Sequence, residues 1–177
     1  MAFDKIVTAV LRLAKGGNLD LDAPADEYFR SFKIVSQPVP VTVRHLLSHS
    51  SGLANPVPIR WVRPAGKLAP NQRAFVRRPL AKQRKLKFIP GESASYSNLG
   101  YLALGEVISE VSGVRYDEYV RDEILTPLGM DRTGFSYPES AEDGTGFWNV
   151  MRIYPEESLG VVVMGNTIMS LSAMPWE

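Results

Sequence analysis

Apolar positions recur at helical spacing over three stretches of this chain and gather into a continuous run over a fourth. In residues 5–15, Ile6, Val7, Val10, Leu11, Leu13 and Ala14 predict a helix with a broad apolar face, stopped by Gly16-Gly17. Residues 18–24 read as an extended turn with alternating Leu19 and Leu21, and residues 26–32 as an added helical turn. Residues 34–41 hold Pro38 and Pro40 and are expected to be irregular. Thr42 is the expected N-cap of a short helix over 43–49, closed by Ser51-Gly52. The Pro-, Arg- and Trp-rich segment 53–66 reads as ordered loop. Pro70-Asn71 opens a basic helix reaching Arg84, which Pro79 is expected to end or kink.

The best helical pattern is 98–111, where Leu99, Leu102, Leu104, Val107 and Ile108 recur behind Asn98 as N-cap and ahead of Ser112-Gly113 as stop. A further helix over 116–125 puts Tyr116, Tyr119, Val120 and Ile124 on one face and ends at Leu128-Gly129-Met130. Residues 131–146 show little periodicity. Two strands follow, Phe147–Tyr154 and Leu159–Asn166, joined by the turn Pro155-Glu156-Glu157-Ser158, and the tail 167–177 is apolar. The prediction is an α/β (α+β) chain, mostly helical with a small antiparallel sheet, forming a single domain over 1–177.

Composition narrows this picture. At 177 residues, 45% apolar and 22% charged, the chain is long enough to bury a real core. No apolar run reaches the roughly 18 residues of a membrane span. Asp4, Lys5, Arg12 and Lys15 interrupt any signal-peptide core near the start, so a cytoplasmic product is expected. There is no cysteine, hence no thiol nucleophile or disulfide. His45 and His49 stand one helical turn apart without a second ligand cluster, so no metal site is predicted.

The net charge of +1 hides an asymmetry. Residues 60–87 carry ten Lys and Arg and no acid, leaving ten basic against nineteen acidic residues, or −9, elsewhere. Such a stripe attracts nucleic acid or an acidic substrate. It holds no recognised nucleic-acid motif, and its aromatics stop at Trp61, Phe75 and the adjoining Phe88. It reads instead as a solvated helix and loop balanced by the acidic remainder.

Candidate chemistry centres on Pro90-Gly91-Glu92-Ser93-Ala94-Ser95-Tyr96-Ser97-Asn98-Leu99-Gly100-Tyr101. A tyrosine at a helix entrance lies near unpaired backbone N–H groups, and the dipole there favours a phenolate. The alternative is a capped surface loop with a tyrosine packed beside it. Both readings are open on local grounds.

Several segments together resemble the serine hydrolases of the β-lactamase and penicillin-binding-protein superfamily, particularly the class C β-lactamase-like esterases. The carriers are Gly17-Asn18-Leu19-Asp20-Leu21-Asp22-Ala23-Pro24, the run from Val43-Arg44-His45-Leu46-Leu47-Ser48-His49 to Leu53, Pro90-Gly91 through Tyr101, and Leu125-Thr126-Pro127-Leu128-Gly129-Met130. The strand pair 147–166 is a fifth. Each motif is weak alone, but five in the family's order are strong.

The resemblance implies acyl transfer to a small-molecule ester or β-lactam-like amide, through a Ser-x-x-Lys nucleophile, a Tyr-x-Asn motif and a Lys/His-x-Gly strand, with no cofactor. Tyr96 and Asn98 match the second motif, Tyr96 as proton-relaying partner. Lys5 stands near the family's lysine, but Ala2 is three residues before it, where serine is required; aligned back from Gly17 instead, Phe3 takes the lysine position and the serine falls before Met1. Gly144-Thr145-Gly146 keeps only the glycine character of the third motif, which lets backbone approach an acyl group. Ser93, Ser95 and Ser97 read as loop hydroxyls. The expectation is a shortened relative lacking the family's start and a middle portion, either a hydrolase or a non-catalytic binding module. Apolar surface uncovered by the missing strands would favour self-association.

Overall fold

The computed structural model describes residues 3–29, 38–55, 72–83, 85–130, 133–135, 148–154 and 159–165. The elements are α1 (Phe3–Lys15), α2 (Ala25–Tyr28), α3 (Val43–Leu47), α4 (Gln72–Lys82), α5 (Asn98–Ser112), α6 (Tyr116–Val120), a π-helical turn (Arg121–Leu125), and the strands β1 (Trp148–Tyr154) and β2 (Leu159–Gly165). They fall into two compact units, 1–134 and 135–177.

The first unit is built around α5, and α1, α2, α3, α4 and α6 all pack on it. Residues 99–101 and 103–109 of α5 are buried, so it is covered on nearly every side. At two of its glycines a side-chain carbon would sit in ordinary van der Waals contact with the neighbours. A Cβ on Gly100 would meet Leu46 at 3.7 Å, and one on Gly105 would meet the Tyr116 ring at 4.0 Å. From α1, Ile6, Ala9, Val10 and Leu13 enter the same core. Leu11 is 47% exposed, so the apolar face is narrower than the predicted one.

Five elements differ from expectation. The N-cap of α5 is Ser97 rather than Asn98, because the Ser97 hydroxyl accepts from the Gly100 N–H at 3.2 Å. Helix α3 stops two residues early because His49 takes a left-handed φ of 57°. Pro79 neither ends nor visibly divides α4, which runs on to Lys82. An interior proline costs about 3 kcal/mol, while burying one aliphatic side chain contributes about 1.5–3 kcal/mol. Val76 and Leu80 are both buried, so packing outweighs the break. Finally, the predicted helix 116–125 changes pitch at Arg121, whose carbonyl accepts from the Thr126 N–H at 2.9 Å, five residues on. The added turn after Pro24 is also shorter than predicted, ending at Tyr28.

In the second unit β1 and β2 pair antiparallel, with Trp148 opposite Gly165 and Tyr154 opposite Leu159. The loop 56–66, Pro70-Asn71, Gly144-Thr145-Gly146, the turn 155–158 and the tail 167–177 lie outside the described residues.

Candidate active site

Tyr96 and Asn98 are held where two distant segments run side by side. Residues 49–52, just past α3, bond to residues 87–95, just ahead of α5, by three backbone hydrogen bonds. The N–H groups of Lys87, Gly91 and Ser95 donate to the carbonyls of Gly52, Ser50 and His49 at 2.8, 2.9 and 2.9 Å. The approach is too close for a side chain at Gly52, whose φ is +73° and where a Cβ would lie 2.6 Å from the Phe88 carbonyl oxygen.

Next to this seam, side chains bond the start of α5. The Ser97 hydroxyl donates to the Ala54 carbonyl at 3.1 Å while accepting from Gly100. The Ser97 N–H donates to His49 Nδ1 at 3.2 Å, so that nitrogen carries no proton and the neutral ring holds it on Nε2. Burial agrees, pushing the His49 imidazole below the usual histidine range. The His49 ring lies 4.8 Å from both the Tyr96 and Tyr101 rings, and the Tyr101 hydroxyl donates to the Leu47 carbonyl at the end of α3.

The Tyr96 hydroxyl donates to Asn98 Oδ1 at 3.1 Å. On the other side of Asn98, both its backbone N–H and its Nδ2 donate to Asn55 Oδ1, each at 3.1 Å. Tyr96 is 50% exposed, open enough to meet a ligand. Its phenol is shifted upward by burial. At the helix entrance the Asn98 and Gly100 N–H groups are taken by Asn55 and Ser97.

The remaining candidates are dispersed. Lys5, on the first turns of α1, places its ammonium 3.5 Å from the Gly134 carbonyl. Ser95 Oγ accepts from the Lys87 ammonium at 3.0 Å, Ser93 is exposed, and Ser97 is the cap. His45 completes a capping box, its Nδ1 accepting from the Thr42 N–H at 3.2 Å while its own N–H donates to the Thr42 hydroxyl. Among the described residues no group of three or more His, Cys, Asp or Glu is placed to hold a metal. No described helix is long and apolar enough to cross a membrane.

Sequence reasoning singled out Tyr96 and Asn98, which the structure joins by a hydrogen bond, and did not single out Asn55 or the stacking of His49. An asparagine just past the Ser-Gly-Leu turn was the only local signal for Asn55, and it sits 43 residues from its partner.

Comparison with known proteins identifies the family of the chain. The chain belongs to the beta-lactamase family, whose model matches residues 6–149. Beta-lactamase-like protein 2 of Dictyostelium discoideum is 32% identical over 155 residues, which is 82% of this chain and 28% of that protein. Among solved structures, the octameric penicillin-binding protein homologue from Pyrococcus abyssi superposes with a TM-score of 0.64 at 32% identity, covering 90% of this chain and 36% of that one. The beta-lactamase/D-alanine carboxypeptidase from Yersinia pestis, complexed with citrate, gives 0.62 at 28% identity, covering 76% and 39%. The chain thus spans well under half the length of these relatives.

Proposed function

We propose that this chain carries the proton-relay part of a serine-hydrolase site acting on small-molecule esters or β-lactam-like amides through an acyl-enzyme. The observation that carries this reading is the Tyr96 hydroxyl bonded to Asn98 at 3.1 Å at the entrance of a buried helix. In such a reaction a serine oxygen bonds to the substrate carbonyl carbon and the alcohol or amine leaves. Tyr96 would take the serine proton and deliver it to that leaving group. Asn98 would orient the phenol and Lys5 would supply the cation of the first motif, while the resemblance assigns Gly144-Thr145-Gly146 to the third motif. On this reading 1–177 is one domain and β1 with β2 belongs to the family's antiparallel sheet.

The test is hydrolysis of p-nitrophenyl acetate and a chromogenic cephalosporin by the purified chain, with fluorophosphonate labelling in parallel. Turnover and label are expected where another serine of the chain stands in at the position that Ala2 holds, with Tyr96→Phe slower by about 10²-fold or more.

A second reading rests on Ala2, which stands three residues before Lys5 where the pattern requires serine. The chain would then be a non-catalytic module of the same fold, binding rather than cleaving, and self-association like that of the octameric relative would suit it. Neither turnover nor label, with discrete oligomers in analytical ultracentrifugation, would decide for this reading.

A further inference from the structure

The hydrogen bonds around Asn98 determine one another, starting from a group whose polarity is never in doubt. A backbone N–H only donates, so the atom of Asn55 facing the Asn98 N–H at 3.1 Å is its carbonyl oxygen. The atom of the Asn98 amide facing that same oxygen at 3.1 Å is then a donor, Nδ2. Oδ1 of Asn98 therefore faces Tyr96, and since it is only an acceptor, the phenol at 3.1 Å is the donor.

We propose that Asn55 is a positioning residue that fixes the polarity of the Tyr96–Asn98 pair, locking the tyrosine as a protonated hydrogen-bond donor. The inference deepens the hydrolase reading: it makes Tyr96 a neutral relay that turns its own proton from Asn98 to the departing alcohol or amine as it takes the serine proton, rather than a standing base. With Asn98 turned about, its Nδ2 would donate to the phenol oxygen and favour the phenolate. Asn55 prevents that turn, because it would set two carbonyl oxygens against each other. Among the described residues the neutral His49 imidazole faces the Tyr96 ring, and the Lys87 ammonium lies on the hydroxyl of Ser95, the residue before Tyr96. Burial of the phenol acts in the same direction as the lock.

The experiment follows the titration of Tyr96 by carbon-13 NMR of tyrosine Cζ in the whole chain, with the Tyr96 signal assigned from Tyr96→Phe. In Asn55→Ala the constraint on Asn98 is gone, and the Tyr96 titration moves to lower pH. In Asn55→Asp the carboxylate still accepts both N–H groups, so the titration stays at or above that of the unaltered protein. A titration unmoved or raised in Asn55→Ala, or lowered in Asn55→Asp, overturns the proposal. The unaltered protein supplies a second measurement that needs no variant to fold. As Tyr96 ionises, the side-chain carbonyl carbon of Asn98 shifts and that of Asn55 does not; the reverse overturns the lock. None of this reads turnover. Titrations as stated with no hydrolysis would remove the hydrolase reading and leave Asn55 its role, and hydrolysis with an unmoved titration would do the opposite.

Discussion

His49 shows how much one residue can carry when its backbone, ring and nitrogen are all engaged. Its left-handed φ turns the chain out of α3, its carbonyl accepts from the Ser95 N–H, and Nδ1 accepts from the Ser97 N–H. Protonating the ring would remove that last bond. In the unfolded chain the imidazole takes up its proton near pH 6.5, whereas burial delays it to lower pH in the folded protein. Between those points the unfolded state binds more protons, so stability rises with pH and is lost as pH falls below 6.5. Melting temperatures on either side of that value should therefore fall on acidification, with a shallower slope in His49→Asn. Equal slopes would separate His49 from the effect. The sequence made Tyr96 and Asn98 legible because their spacing is short and local. Asn55 was not, since its bond to Asn98 spans 43 residues and depends on how the loop after α3 returns to α5.

Among the elements, α1 and α5 could be read directly from the chain, because a helical period and a closing glycine are local signals. The closing residues bear this out physically: Gly17 and Gly113 both adopt positive φ, at 75° and 76°. The start of α5 was misplaced by one residue because Ser97 and Asn98 are both good caps, and only the bonds to Gly100 and Ala54 choose between them. Ser97→Ala should lower stability by about 1 kcal/mol or more, measured by chemical denaturation, since it removes the cap and leaves a half-buried carbonyl unpaired. A change below a few tenths would mean that Asn98 takes over the cap. The pitch change at Arg121 and the survival of α4 through Pro79 had no local signature. Both are set by what α6, the π-helical turn and α4 pack against.

At the scale of the molecule, the family assignment and the site rest on the first unit, whose core converges on α5. The same convergence has a consequence in time. α1, near the start of the chain, finds its packing surface in α5, which begins at Asn98, and Arg12 reaches Glu123 across 111 residues at 2.6 Å. Helix α1 cannot cover its apolar face until α5, more than 80 residues further on, has been made. Long loops must close before those contacts reward the closure, which slows folding even where secondary structure is helical. Stopped-flow refolding followed by circular dichroism should therefore take milliseconds to seconds, the range of non-local folds, rather than the microseconds open to simple bundles. A growing chain would pass through a long interval in which Ile6, Val10 and Leu13 are made but uncovered, the interval in which a partly made protein is most exposed to aggregation.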